Sequence, residues 1–334
     1  MYLNNPINNH IGGSLSRNTF AKFFVCLLFL SLPVTSWTQE ADGNEPSEDR
    51  STSPWTESAV TTFLFNQSAF NAEWQGGGVS NISGNVNLTY NLNYNKDGVN
   101  WDTKVTADYG AAKIQDRDNL QKTNDRLEVI SVVGKKIKNS EWFYSGLFNF
   151  KTQFDSGFEA TERTEIVNGV SVKISSDVRN SKFFSPAYFL AGPGILWKKD
   201  DDLKVNIAPS TAKLIVVSSQ FTNPNDPRNR LDKSNKYFGV AAGETTRFEL
   251  GMALNAYAKI ELLPNVELEN ILGLYSNYLD KPKNVDIDYT ANLNMRINNL
   301  ITTNITLQAI YDDNAIQGFQ IRQGLGIGVT YKLK

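Results

Sequence analysis

From Ile82 to Tyr94 the chain alternates without a break. Ile82, Gly84, Val86, Leu88, Tyr90, Leu92 and Tyr94 fall on one parity; Asn81, Ser83, Asn85, Asn87, Thr89, Asn91 and Asn93 fall on the other. A period of two is the signature of a strand whose successive side chains point to opposite faces. One face here is apolar and ends in aromatics, and the other is almost entirely asparagine. A sheet with one face in bulk water would mix lysine and glutamate into that face. Small uncharged polar groups suit a wet, crowded lumen backed by a lipid-facing wall, the pattern of a transmembrane β-barrel strand.

The same alternation recurs along the chain. Val285, Ile287, Tyr289, Ala291, Leu293, Met295 and Ile297 alternate with Asp286, Asp288, Thr290, Asn292, Asn294 and Arg296. Strands are expected at about 56–70, 79–94, 99–111, 125–137, 141–154, 183–198, 203–217, 246–260, 266–278, 285–297, 300–311 and 319–333. Ala112–Asn124 reads as a loop, Asp155–Lys182 as a long excursion with a protruding hairpin around Ile166–Ile174, and Ser218–Lys236 as a second long polar loop. The glycines of Trp74–Gly78 mark a turn, and Gly192-Pro193-Gly194 a kink in the sixth strand. The fold class is therefore all-β: a transmembrane antiparallel up-and-down β-barrel of about twelve strands. Tight turns follow the even strands and long connections follow the third, fifth and seventh, as expected for a barrel with both termini on the periplasmic side. The rival architecture, a soluble β-sandwich or an internally apolar barrel, would have to expose the asparagine faces to water over many strands.

The first residues carry the parts of a secretory signal: Arg17 and Lys22 flank the apolar run Phe23–Leu32. Residues 1–38 are expected to be a signal peptide, 39–54 a flexible acidic periplasmic leader, and 55–334 the barrel. Cleavage would leave 31 basic against 35 acidic side chains, too balanced to suggest a nucleic-acid partner. It would also remove His10 and Cys26, the only histidine and cysteine. That excludes Ser-His and Cys-His chemistry and zinc held by His or Cys, so no enzyme activity, cofactor or metal is expected, and the only catalysis left open is one carried by carboxylates such as Asp286 or Glu269. The adjacent acids Asp312 and Asp313 read as solvated loop residues.

Inward-facing charges are the candidate functional residues: Lys104, Arg126, Glu128, Lys204, Arg247, Glu249, Glu267, Glu269, Asp286, Asp288, Arg296 and Arg322. They can fill a narrow lumen with ion pairs or line a selective path for a solute. Trp55, Tyr94, Trp101, Trp142, Trp197 and Tyr331 are expected at one level, as the periplasmic aromatic girdle.

A resemblance adds to this. The pieces Trp74–Gly77, Asn81–Tyr94, Trp101, Tyr109-Gly110, Thr123–Glu128, Thr152–Phe154, Phe184–Tyr188, Ala208–Thr211, Ser276–Tyr278 and Tyr311–Asp313 together resemble an uncharacterised outer-membrane β-barrel family of Bacteroidetes-type bacteria. The resemblance implies an outer-membrane barrel of a Gram-negative cell and supplies no catalytic or binding residues. The chain departs from the family at its end, where Leu333 stands in place of the usual aromatic. The expected activity is that of a small porin-like channel or transporter for a polar or amphipathic solute; the alternative is a closed structural or partner-binding barrel. Expected partners are outer-membrane lipid and lipopolysaccharide, the barrel-assembly machinery and a small-molecule solute.

Overall fold

A computed structural model describes residues 53–68, 80–115, 120–167, 170–298, 300–314 and 316–333. The expected signal peptide, nearly all of the expected leader and the expected turn at Trp74–Gly78 lie outside the described residues. In chain order the strands begin with β1 (Trp55–Ser68), β2 (Asn81–Lys96), β3 (Val99–Ile114), β4 (Gln121–Lys136) and β5 (Trp142–Thr152). A hairpin of β6 (Gly157–Val167) and β7 (Val170–Ser181) follows, then β8 (Ala187–Lys198) and β9 (Leu203–Val216). A connection holding the short helix α1 (Ser219–Thr222) and the paired strands β10 (Lys236–Tyr237) and β11 (Val240–Ala241) leads to β12 (Thr246–Leu263). The chain finishes with β13 (Val266–Asn277), β14 (Val285–Arg296), β15 (Ile301–Asp312) and β16 (Ile316–Leu333).

Twelve of these strands close into one antiparallel barrel, in the order β1-β16-β15-β14-β13-β12-β9-β8-β5-β4-β3-β2. Each expected strand corresponds to one wall strand, and the hairpin stands apart as its own two-stranded sheet. The turn between β2 and β3 shows how sequence sets register: Asp97 and Gly98 both take positive φ, 53° and 71°. A two-residue turn of that kind matches strand twist, and it is followed by sixteen consecutive cross-strand pairs from Lys96↔Val99 to Asn81↔Ile114.

Two boundaries differ from the sequence reading. The supposed loop Ala112–Asn124 is shorter, because β3 runs on to Ile114 and β4 starts at Gln121. A register shift after Gly110 lets the polar residues there keep pairing. The sixth wall strand starts at Ala187 rather than Phe183, since Lys182–Pro186 is a turn closed by a Lys182↔Ser185 bridge and carrying a cis Ser185-Pro186 bond. The Gly192-Pro193-Gly194 kink sits within a register shift between β8 and β9. Both β8 and β12 see an extra residue in β9 between Ala208 and Thr211, a bulge that reverses the parity of the strand beyond it.

The alternation resolves into two surfaces. Phe63, Phe65, Phe148, Phe248, Leu325 and Ile327 are exposed on the outside, among many large apolar side chains on every flank of the barrel. A continuous apolar exterior of this extent is far more than a water-soluble surface carries. Asn87 and Asn91 point inward, where their side-chain amides donate to Asp108 and Ser58 at 2.9 and 3.2 Å.

The ring closes where β1 meets β16, through six pairs from Ala59↔Leu333 to Leu64↔Gly328. The glycines of β16 record how close that approach is. A Cβ at Gly328 would overlap the Phe63 carbonyl oxygen, a Cβ at Gly326 would press on the Leu64 side chain, and a Cβ at Gly324 would meet nothing within 4 Å. Gly328→Ala is therefore expected to destabilise closure by roughly 1–3 kcal/mol, while Gly324→Ala is silent. Heat-modifiable gel migration of the two refolded variants checks this, and equal behaviour would refute it.

Candidate functional site

Among the described residues the lumen gathers many charges, and several of its bridges run between walls. Lys104 on β3 reaches Glu269 on β13 at 2.7 Å, and these strands lie six steps apart in either direction around the ring. A circular twelve-strand wall would stand roughly 24 Å across. An extended lysine and glutamate in contact span only about 14 Å between their Cα atoms. The barrel is therefore oval at that level, with opposite walls drawn together. Lys151 on β5 pairs with Asp288 on β14, five steps away. Towards the short turns, Asp102 on β3 takes Lys198 of β8 and Lys204 of β9, three and four steps round the ring, each at 2.9 Å. Lys213 on β9 holds Asp286 at 3.0 Å and Glu249 at 3.6 Å.

Alongside this network the interior carries an apolar patch. Leu147, Ala208, Ala253 and Tyr275 are buried together, with Ile130, Val132 and Leu190 packed against them. These residues come from the inward faces of β4, β5, β8, β9, β12 and β13, so one side of the lumen carries a greasy patch, while β2 lines its part of the lumen with asparagine. Above the patch, the connection between β9 and β12 folds into a cap with its own core. Ile215, Val217, Phe221, Tyr237 and Val240 are buried there. The Tyr237 hydroxyl donates to the backbone carbonyls of Asn180 and Ser185 at 2.8 and 3.3 Å, and burial holds its phenol above the usual range. Arg230 Nε donates to the Arg179 carbonyl at 2.9 Å, and Arg247 to the Gly239 carbonyl at 3.0 Å. The expected polar loop Ser218–Lys236 is thus a packed cap, because its spaced aromatics have wall residues to cover.

Between cap and turns lies a cavity of about 1100 Å³. It runs from Asp201 and Lys259 near the short turns to Arg230 and Tyr237 beneath the cap, past Lys104 and Ile130. A recess of about 350 Å³ continues from it between β4 and β16.

Of the residues singled out from sequence, Lys104, Arg126, Glu128, Lys204, Asp286 and Asp288 line the main cavity. Glu269 faces it through Lys104, and Arg322 lines the recess. Arg247 and Glu249 pair with each other at 2.8 Å under the cap. Arg296 instead binds the Asn265 side chain in the turn between β12 and β13, and Glu267 is exposed one residue beyond the start of β13, so both belong to the rim. On the exterior, the Trp55 ring lies 4.9 Å from Tyr94 and 5.8 Å from Trp101. Trp142 pairs with Trp197 across β5 and β8, and Tyr331 stands opposite Thr61, further up β1 than Trp55.

Lys151, Lys198 and Lys213 join the network without having been singled out. Lys151 shares its parity with Leu147 and Asn149, so its direction was readable. Lys213 was hidden by the β9 bulge, which turns odd positions inward after even ones have faced in. Asp286, Asp312 and Asp313 bring carboxylate oxygens within 4.8 Å of one another. Lys213 and Lys281 already neutralise two of them, at 3.0 and 3.3 Å.

Residues 65–158 match the model of a family described as "Protein of unknown function (DUF3078)". No curated protein matches the chain. Among solved structures, it is similar to the translocator domain of the autotransporter NalP from Neisseria meningitidis, with 9% identity over 85% of this chain and 90% of that one and a TM-score of 0.36. The beta domain of the Bordetella autotransporter BrkA gives 11% identity over 84% and 99% and a TM-score of 0.30. An outer-membrane channel from Pseudomonas putida F1 gives 9% identity over 88% and 99% and a TM-score of 0.34.

The opposite-wall pair supplies a direct test. In Lys104→Met the Glu269 carboxylate keeps its burial and loses its cation, which is expected to cost roughly 2 kcal/mol. The loss stays below that of a fully buried pair because 22% and 16% of the two side chains reach water. Adding Glu269→Gln should recover much of it. Unfolding midpoints of the single and double variants in detergent measure the coupling, and purely additive losses would show that the pair holds nothing together.

Proposed function

We propose that this chain spans an outer membrane as a β-barrel and passes a small polar or amphipathic solute through a narrow, bridged lumen. The observation that carries the reading is the cavity of about 1100 Å³ that follows the lumen from the short turns to the cap. Support for the membrane comes from the apolar exterior together with the closed ladder. In lipid every backbone N–H and C=O must be paired without water, and a closed ring achieves this while an open sheet does not. The partners that follow are lipid and lipopolysaccharide around the wall, an assembly machinery that inserts it, and a solute inside. Nothing in the reading calls for catalysis, a cofactor or nucleic acid.

Wide water-filled porins leave their lumen open, whereas this one is crossed by Lys104–Glu269 and Lys151–Asp288. Those crossings favour slow, selective passage over bulk diffusion, since a solute has to displace or exchange with bridging side chains. They are also the observation behind the second reading, a closed structural or partner-binding barrel whose hairpin and cap present a surface. In that case the same bridges act as permanent braces.

Purified protein in a planar bilayer separates the two. The transport reading expects small, discrete currents and uptake of small solutes into liposomes, both raised by the double variant Lys151→Met with Asp288→Asn. A protein that is heat-modifiable and recovered in the outer-membrane fraction, yet silent in current and uptake with bridges present or removed, would leave only the closed barrel.

A further inference from the structure

The recess between β4 and β16 differs from the rest of the lumen in the balance of its charges. It is lined by Lys122, Arg126, Lys151 and Arg322, with Asp125 as the carboxylate on its wall. Three of the four cations are matched: Lys122 by Asp125 at 2.9 Å, Arg126 by Glu128, and Lys151 by Asp288. Arg322 makes no ion pair among the described residues, and its guanidinium donates to the neutral side chain of Asn124. Asp108 and Asp288 attract it only from a distance and Arg126 repels it; Asp108 accepts a hydrogen bond from Asn87. The Nε of Arg126 is buried and has no hydrogen-bond partner. Two guanidinium groups thus share a recess of about 350 Å³ with unspent donors. Buried donors without acceptors are costly, and a fork of N–H groups is shaped for a carboxylate or an anion of similar form.

What adjoins the recess narrows the class of anion. Arg126, Lys151 and Ile310 border both it and the main cavity, so the two are continuous. Along the inward face of β4, Arg126 is followed by Glu128, Ile130 and Val132. Ile130 and Val132 belong to the apolar patch with Leu147 and Leu190. At about 3.3 Å per residue the patch begins roughly 13 Å from Arg126. We infer that the lumen holds a site for an amphipathic organic acid, its anionic head between Arg322, Arg126 and Asn124 and its apolar body laid along Ile130, Val132 and Leu190. This deepens the transport reading by naming the solute class, and it rests on that reading only for the direction of passage; the site itself is a matter of binding.

Calorimetry on the folded protein, at concentrations below ligand micelle formation, tests it with acetate, octanoate, dodecanoate and tetradecanoate, and with dodecanol as the uncharged control. Acetate and octanoate are too short to span the roughly 13 Å to the patch; beyond about ten carbons, affinity is expected to rise about fourfold per methylene added. Arg322→Gln is expected to weaken dodecanoate about tenfold or more, the loss of one charge-assisted hydrogen bond, while leaving dodecanol unchanged. Arg322 is the safer change because it leaves no buried carboxylate unpaired, and heat-modifiable migration verifies folding. Affinity that does not rise from octanoate to tetradecanoate, or an Arg322→Gln protein that binds dodecanoate as the parent does, overturns the proposal. Binding that behaves as expected without liposome uptake of dodecanoate rejects transport and leaves the site standing.

Discussion

A closed ring of strands leaves no freedom about where side chains go. Each strand pairs on both flanks, each residue faces either in or out, and a one-residue slip anywhere would turn a strand inside out. That constraint shows most plainly in β2 and β14, where the alternation runs unbroken from one end of the strand to the other. It also explains how the chain tolerates its irregularities. The β9 bulge changes which parity faces inward, and both neighbouring strands accommodate it with matching register shifts, so the ladder continues on either side.

The second level of organisation is electrostatic and steric. Opposite walls could not carry Lys104 and Glu269 in contact unless the ring were flattened. The flattening brings the greasy patch of β4 to β13 towards the opposite wall, where β2 presents its asparagines. The cap lies over one end, burying its own aromatics against Ile215 and Val217. An oval lumen, a one-sided apolar patch and a covered mouth are thus one arrangement, held by bridges whose members lie from three strands to half a barrel apart.

Much of this was legible along the chain and some was not, for identifiable reasons. The twelve wall strands and the separate hairpin follow from period two and from turn residues such as Asp97-Gly98, which act locally. The inner apolar patch escaped because β5 and β8 are apolar on both faces; Phe143 and Leu147 give no contrast with Trp142 and Phe148. The cap escaped because Phe221, Leu231, Tyr237 and Val240 keep no period, so only a surface to pack on reveals them. Partners across the lumen depend on which strands face each other around the ring, a fact of closure that no window of sequence contains. Arg296 and Glu267 had inward parity and yet sit at the rim, since parity gives direction and not depth.

The seam between β1 and β16 has a consequence in time. The Thr62 and Thr330 hydroxyls meet at 2.9 Å although 268 positions separate them. Neighbouring hairpins zip from nearby residues and form early, whereas this contact must wait for both ends of the chain and carries the largest loop-closure entropy of the wall. Until it forms, the molecule is a curved sheet with two raw edges, able to recruit a foreign strand as readily as its own. The glycines at 326 and 328 make that last contact possible, because at those two positions β16 brings no side chain against Phe63 and Leu64.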